Sequence, residues 1–457
     1  MKKISLITLL LVCFIFNISE SLYCQIITTI AGGVIGHGGY WGDGGPATLA
    51  EFGGFGCIAT DIHGNIYISD GNNQRIRKVN ILTGVVTTIA GTGTAGYNGD
   101  SILGTSAKLN NPGWISTDIF GNLYIADSYN NRGRKLNLTT GIITTFVGNG
   151  IYGSLGDGGP ATTAEVNGSG GGIMDPFGNF YIIDVRKIRK IDAFGIITTI
   201  AGTGLSGITG EGVLATATPV IPQGGIGTDA VGNIYFSDST RSIRKITVST
   251  GIITRVAGTA DYVSYPYSGD GIAATTCHIG PLGIAVDNVG NIYIADISNS
   301  RIEKVESSTG LIYTLAGNGI IGFSGDGGLA TACSLNYPEG VALDSCGNVY
   351  IADFGNRRAR KITFDTSCTS HAGESLFTRI VNNNITIYPN PVKDLLHIES
   401  KEDASCKLMT VVGTVLQQGT LNTGGNSISL KTIPVGMYIV EITGSKGNKT
   451  ITRIVKE

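Results

Sequence analysis

The sequence predicts an all-β chain: a six-bladed β-propeller closed by its own N-terminal strand, followed by a small β-sandwich domain. Three observations carry this reading. A Gly-Asn-x-Tyr-x-x-Asp stretch occurs six times, starting at Gly64, Gly121, Gly178, Gly232, Gly290 and Gly347, at steps of 54 to 58 residues. A period that regular marks a repeat architecture. Each period also holds four short strand-like segments and no crossover helix, which is the content of one propeller blade. Finally, an outer-strand copy, Ile26–Gly32 (IITTIAG), precedes the first Gly-Asn motif, whereas the sixth repeat stops after Phe364 without one. The two fragments complement each other. Pairing residues 26–32 onto the edge of the last blade closes the ring and removes exposed strand edges that invite aggregation.

Composition bounds the rest. The chain has 457 residues, 69 of them glycine, with 14% charged residues and a formal net charge of −2. Many tight turns fit that balance, and a helical bundle does not. There is no basic footprint for nucleic acid. The chain opens with Lys2-Lys3 and an apolar run from Ile4 to Ile18, too short to span a bilayer and flanked like a secretory signal. We therefore expect a signal peptide over residues 1–24, with cleavage after Cys24. A lipid-anchored Cys24 is the rival, but the bulky Tyr23 stands where a lipobox wants a small residue. No later segment is long and apolar enough to cross a membrane. Past the signal stand Cys57, Cys277, Cys333, Cys346, Cys368 and Cys406, with no CxxC pair to suggest a zinc ribbon. Export permits disulfides, and the spacing assigns no pairing; a Cys277–Cys333 bridge between matching repeat positions is not favoured.

The fifth repeat shows the reading strand by strand. Leu282 to Asp287 is the first strand, and Asn288-Val289-Gly290-Asn291 turns the chain. Ile292 to Ala295 follows, then a polar hairpin from Asp296 to Ser300, then Arg301 to Glu306. Ser307 to Gly310 turns again, and Leu311 to Ala316 is the outer strand. Between each outer strand and the next inner one lies a long loop. Its signature is GDGGPAT from Gly42 and Gly156, GDGGLAT from Gly325, and weaker copies elsewhere. Proline before Ala-Thr suggests a single helical turn with Pro46 or Pro160 near its first position. The pattern ends at Cys368. We expect the propeller over residues 25–366 and a polar linker over 367–381. A sandwich of short strands follows over 382–457, at Ile385–Pro391, Asp394–Ser400, Lys407–Val412, Ser427–Leu430, Gly436–Thr443 and Lys449–Val455.

The six copies resemble NHL repeats, whose Gly-Asn-x-Tyr strand is followed by an Asn-Arg-x-Arg-Lys strand. Asp70 with Asn73, Arg75, Arg77 and Lys78 matches, as do the stretches from Asp127, Asp296 and Asp353. The third repeat departs, with Val185 and Arg186 directly after Asp184, and the fourth is abbreviated to Ser239-Thr240-Arg241. The C-terminal part resembles the type A sorting domain of the type IX secretion system of Bacteroidota. Tyr388-Pro389-Asn390-Pro391, Val411-Val412-Gly413 and the Gly436-Met437-Tyr438 run carry that likeness. It implies recognition by an outer-membrane export machine of a Gram-negative bacterium, then release or attachment at the cell surface.

In an up-and-down blade, the hairpin between second and third strands opens on the same face as the long loop. Loops on a rigid scaffold hold most binding residues, so that face is the expected binding face. It carries Tyr40, Trp41, Tyr97, Tyr152, Tyr267 and Phe323, with Tyr262 and Tyr265 nearby. Aromatic platforms for a glycan or peptide are one reading. Packing of each ring on its neighbouring blade is the other, and the regular recurrence favours it. The loop acids Asp43, Asp157, Asp270 and Asp326, with Asp100 and Glu211 at the same repeat position, are candidate calcium ligands. An Asp before Gly-Gly more often caps a turn. The strand-end acids Asp70, Asp127, Asp184, Asp238, Asp296 and Asp353 are expected to hold the next hairpin or face the third-strand arginine. Histidine is scarce: His37, His63 and His278 in the repeats, with no HExxH, no G-x-S-x-G and no serine-histidine-aspartate order. We therefore expect no catalytic residues and no resident cofactor. The expected function is a secreted or surface-presented binding scaffold, a monomer whose partners are the export machinery and an extracellular protein or glycan. A metal-assisted lyase or lactonase-type hydrolase at the channel mouth is the alternative.

Overall fold

The computed structural model describes residues 25–33, 39–168, 170–207, 210–261, 266–364, 380–382, 385–388, 394–410, 414–434, 436–445 and 449–456. The architecture is all-β; among the described residues the helical elements are single three-residue turns. None is long and apolar enough to cross a membrane. The chain divides into two compact units, with the division between residues 368 and 369. The linker expected over 367–381 lies almost wholly outside the described residues.

The first unit holds six antiparallel sheets, one per repeat. The fifth is typical: Pro281–Val286, Ile292–Asp296, Arg301–Val305 and Leu311–Ala316, paired in chain order. Its boundaries fall within a residue or so of those expected. In the sixth sheet the outer position is filled by Ile26–Ala31, which pairs antiparallel with Arg358–Thr363. The register runs from Ile26 opposite Thr363 to Ala31 opposite Ala359.

One glycine position shows why the outer strands end as they do. Gly91, Gly148, Gly202, Gly258 and Gly317 all have positive φ, and a Cβ on any of them would lie 2.0–2.5 Å from a hairpin carbonyl oxygen of the same sheet. Gly32 repeats this against the Arg357 carbonyl, at 2.2 Å. Only glycine tolerates both the left-handed backbone and the close approach. The N-terminal strand thus has the same local fit to the sixth repeat as each outer strand has to its own.

Each long loop makes one 3-10 turn, such as Ala47–Leu49 and Ala161–Thr163. Pro46 and Pro160 sit at the cap, directly before the first helical residue, as expected, with ψ of 128° and 131°. Just before that turn, several loops add a two-residue strand to the outer edge of the following sheet, as Ile102–Leu103 does on Ile142–Val147. Outer edges are thereby covered.

The recurrent Gly-Asn-x-Tyr strand has a side-chain cause that sequence reading missed. An aspartate four residues before each Asn accepts its backbone N–H and side-chain amide, and the tyrosine hydroxyl as well. In the second repeat Asn122 N and Nδ2 donate to Asp118 at 2.9 and 2.7 Å, and Tyr124 donates at 3.1 Å. Asp61, Asp175, Asp229, Asp287 and Asp344 do the same in the other repeats. Burial first, then the nearby carboxylate, pushes each tyrosine hydroxyl pKa upward.

The second unit packs two four-stranded sheets around one core. One contains Ile380–Asn382, Ile385–Tyr388, Leu395–Ser400 and Gly424–Ser429. The other contains Val415–Leu421, Ala404–Thr410, Gly436–Gly444 and Lys449–Lys456. Leu396, Ile398, Leu408, Val440, Ile442 and Ile454 from both sheets form one buried cluster. Val415–Leu421 was not expected as a strand; its Gln-Gln-Gly-Thr stretch lacks an alternating apolar pattern, and it is held at a sheet edge.

Candidate functional site

The long-loop face is built from a repeated polar bracket. The strand-end acids Asp70, Asp127, Asp184, Asp238, Asp296 and Asp353 are all fully buried. Most accept a backbone N–H from the segment leading into the inner strand, as Asp127 does from Asn110 at 2.7 Å and Asp353 from Asn336 at 2.8 Å. The hairpin asparagines Asn73, Asn130, Asn299 and Asn356 donate to the same carboxylates. Burial raises these aspartate pKa values, opposed by the hydrogen bonds. In the third repeat the hairpin is the two-residue turn Val185-Arg186 with no asparagine. There Arg189 compensates by approaching Asp184 to 2.9 Å.

The third-strand arginines Arg77, Arg134, Arg189, Arg244 and Arg360 are buried and join the brackets to the loop acids. Arg77 reaches Asp43 at 2.7 Å, Arg189 reaches Asp157 at 2.8 Å and Arg360 reaches Asp326 at 2.8 Å. Asp43 also accepts the Tyr40 hydroxyl and the Thr88 N–H. Burial opposes its ionisation, yet these bonds and the Arg77 charge hold its pKa below the ordinary value. Asp270 has no arginine; it accepts Tyr267 and the Thr314 N–H and hydroxyl at 2.8 and 2.9 Å. Each candidate calcium acid thus ties down its own loop. Among the described residues no three His, Cys, Asp or Glu side chains come together as a metal-binding group.

The six aromatic candidates separate into two kinds. Tyr40, Tyr97, Tyr267 and Phe323 lie under arginines: Arg75 is 3.7 Å from the Tyr40 ring centre, Arg132 4.1 Å from Tyr97, Arg301 4.9 Å from Tyr267 and Arg358 3.7 Å from Phe323. One face of each ring is already spent on a cation–π contact. Trp41 and Tyr152 are different, being 68% and 62% exposed. Tyr262 and Tyr265 lie outside the described residues, as does His37.

Two further features emerge. The innermost strands of all six sheets line one cavity of about 240 Å³, through residues such as Thr60, Thr117, Ile173, Thr228, Val286 and Leu343. Thr117 donates to the Thr60 carbonyl at 2.6 Å, and Thr60 donates to the Leu343 carbonyl at 2.6 Å. Trp114 narrows the cavity, since a Cβ on Gly224 would sit 2.1 Å from its indole ring. In the fifth loop, Ser268 Oγ is 2.8 Å from His278 Nδ1, and His278 Nε2 is 3.9 Å from Asp261. This serine-histidine-aspartate cluster runs in an order that no motif advertises. Its serine is a loop tie: it accepts the His278 N–H, as Ser324 accepts the Ser334 N–H one repeat later.

Cys57, Cys277, Cys333 and Cys406 are free and buried. Cys346 is disulfide-bonded. Of the sorting-motif residues, Pro389, Asn390 and Pro391 lie outside the described residues. Tyr388 ends the strand Ile385–Tyr388, Gly436 opens the strand Gly436–Gly444, and Tyr438 is buried with its hydroxyl donating to the Pro434 carbonyl at 2.8 Å.

Residues 335–358 match the NHL repeat model, and residues 386–457 match the secretion system C-terminal sorting domain. One segment of the chain thus matches the NHL repeat, and its C-terminal segment matches a secretion-system sorting domain. That tail directs the chain to the cell surface or beyond it. Among curated relatives, the protein SUPPRESSOR OF QUENCHING 1, chloroplastic, of Arabidopsis thaliana is 27% identical over 381 residues, covering 80% of this chain and 35% of that protein. Human Teneurin-1 is 27% identical over 235 residues, covering 46% of this chain and 8% of its own length. The chain therefore spans about a third or less of the length of these relatives. Among solved structures, a Bacteroides thetaiotaomicron auxiliary nutrient binding protein aligns with a TM-score of 0.52 at 19% identity, over 74% of this chain and 76% of its own. A counterpart from Bacteroides ovatus aligns with a TM-score of 0.51 at 16% identity, over 75% and 77%. These likenesses concern the fold.

Proposed function

We propose that residues 25–366 form a closed six-bladed propeller whose sixth blade is completed by Ile26–Ala31. It acts as a secreted or cell-surface binding scaffold for an extracellular protein or glycan. Residues 382–457 carry it to the type IX export machinery and are then removed or serve as the attachment point. Closure is supported by the Ile26–Ala31 pairing, by the Gly32 fit, and by the single cavity shared by all six inner strands.

The binding role rests on one observation. The acids and arginines of the long-loop face are spent on one another, while Trp41, Ile151, Tyr152, Leu155 and Leu205 stand 56–68% exposed in the long loops. Exposed rings and aliphatic groups on a rigid polar frame are the anchors of recognition surfaces. A binding role also suits what the similar Bacteroides protein is called. The test is capture from extracellular protein fractions and a glycan array by the purified repeat unit. Trp41→Ala with Tyr152→Ala should weaken binding of any captured ligand by roughly tenfold or more, since each anchor contributes about 1–2 kcal/mol, and leave the melting temperature unchanged. Capture that survives the double substitution unaltered would place recognition elsewhere.

A further inference from the structure

The fifth repeat breaks the pattern of the other five. At the third-strand position opposite the middle of the Gly-Asn-x-Tyr strand stand Arg77, Arg134, Arg189, Arg244 and Arg360. In the fifth repeat that position is Glu303, in register with Ile294. Glu303 and its neighbour Asp296 are both fully buried. The other repeats place a guanidinium against the strand-end acid; here a second acid faces it. Among the described residues no hydrogen-bond donor reaches either Glu303 oxygen.

Two fully buried carboxylates side by side stay ionised together only at a large cost, because burial strips their charges of solvation and each repels the other. We propose that Asp296 and Glu303 share one proton in the folded protein, and that its loss loosens the fifth sheet and the loop segment 266–278 packed on it. The proton replaces the guanidinium of the other repeats, so at this position the fifth sheet carries a pH dependence that a permanently charged arginine does not give its neighbours.

The surrounding groups support the assignment and its polarity. Asp296 accepts two bonds from Asn299, from N–H at 2.9 Å and Nδ2 at 2.8 Å, so its charged form is held. Glu303 has no such donor, so the proton resides on it and is donated to Asp296. Arg301, on the same strand, is committed to the Asn299 and Asn318 carbonyls at 3.3 and 3.2 Å. From the loop side come Cys277, buried and held as a thiol, and Tyr267, whose hydroxyl donates to Asp270. Thr314 faces Glu303 from the outer strand and does not titrate. Burial, then the Asp296 charge, pushes the Glu303 carboxyl well above the ordinary 4.5. A carboxyl raised on folding gives stability that is complete below 4.5 and is lost as pH rises through the folded value. The slope reaches at most about tenfold in the unfolding constant per pH unit for one proton.

Whole-molecule melting would mix this with Glu339 and Asp353 of the sixth repeat, which burial pushes up to about 7 and about 6. Local hydrogen exchange separates them. The full mature chain is exchanged at about pH 5 and about pH 8, with intrinsic rates corrected. Peptides covering 266–278 and 292–316 are compared with the matching peptides of the second repeat. In the wild type the fifth-repeat peptides should lose protection at the higher pH, by severalfold or more relative to the second repeat. Glu303→Gln keeps the shape and still donates to Asp296, so its fifth repeat should track the second at both pH values. Equal behaviour of the two repeats in the wild type, or a pH response kept in Glu303→Gln, overturns the proposal. Should that variant not fold, the infrared carbonyl band of a buried protonated carboxyl in wild-type protein near neutral pH decides: its presence supports the shared proton, and its absence overturns it.

Discussion

At the scale of single residues, the long-loop face is a set of buried charges that stabilise one another and little else. Arg189 is the most heavily used. It bonds to Asp184 at 2.9 Å, Asp157 at 2.8 Å and the Glu165 carbonyl at 2.8 Å, with its side chain fully buried. Removing one partner of a buried pair leaves the other charge uncompensated, which costs about 3–5 kcal/mol. Arg189→Ala should therefore lower stability by that amount in urea titrations near neutral pH. The deficit should shrink at acid pH. Burial already raises the Asp184 carboxyl, and losing Arg189 raises it further, so stability is regained as Asp184 takes a proton. A deficit that does not change with pH would mean the loss comes from packing alone. Arg75→Ala is the contrasting case. Arg75 covers the Tyr40 ring near the surface, so about 1 kcal/mol is the expected loss. The same comparison explains which site residues could be read in advance. Tyr40 and Trp41 are adjacent, yet Tyr40 lies beneath an arginine some 35 residues further along and Trp41 is open. The periodic position of the ring is visible in the chain, but its covering is a non-local contact.

At the scale of elements, the strand order was legible because each strand is bounded by turn residues with no alternative conformation. The cause of the Gly-Asn-x-Tyr pattern was not legible. Its aspartate lies across a turn, in a stretch that varies from Ile-His-Gly to Ser-Cys-Gly, and only the folded turn shows Asp61 and Asp344 doing the same work. Glu303 was hidden for a related reason: one acid in a charged strand reads as a solvated face until its burial is known. The N-terminal strand is the element on which the proposed closure depends. Ile27 is fully buried in a cluster with Val349, Ile351 and Ile362, and Ile26–Ala31 supplies the outer strand of the sixth sheet. Ile27→Asp should place an unpaired charge in that cluster and expose the edge of Arg358–Thr363. We expect a loss beyond about 3 kcal/mol, with concentration-dependent association read by light scattering. Chain opening confined to residues 26–31, with the sixth sheet protected in hydrogen exchange as before, would show that closure contributes little.

At the scale of the whole molecule, the two units have separate cores and separate tasks. The first unit's clusters draw on its own sheets, and among the described residues the second unit's core is one cluster of twelve buried residues from Ile387 to Ile454. A chain ending at Ser370 should therefore fold and melt within a few degrees of the full chain, because it loses no residue of the repeat clusters and keeps every cysteine that precedes the tail. It should nevertheless fail to reach the cell surface, since the sorting tail is absent. A full-length chain with Leu396→Asp sharpens the argument. Leu396 is fully buried between the two sheets of the tail, so a charge there costs more than so small a core can absorb. The tail sequence, including Gly436 and Tyr438, remains present but unfolded. If the export machinery reads the folded tail, this variant accumulates inside the outer membrane, as the truncated chain does, while its repeat unit stays protease-resistant. If it reads a linear segment, Leu396→Asp is exported normally and only the truncation is retained. Cell fractionation with surface protease treatment distinguishes the two. The buried Tyr438 hydroxyl, bonded to the Pro434 carbonyl, favours the folded tail, because that motif residue is inaccessible until the strand Gly436–Gly444 comes away from its neighbours.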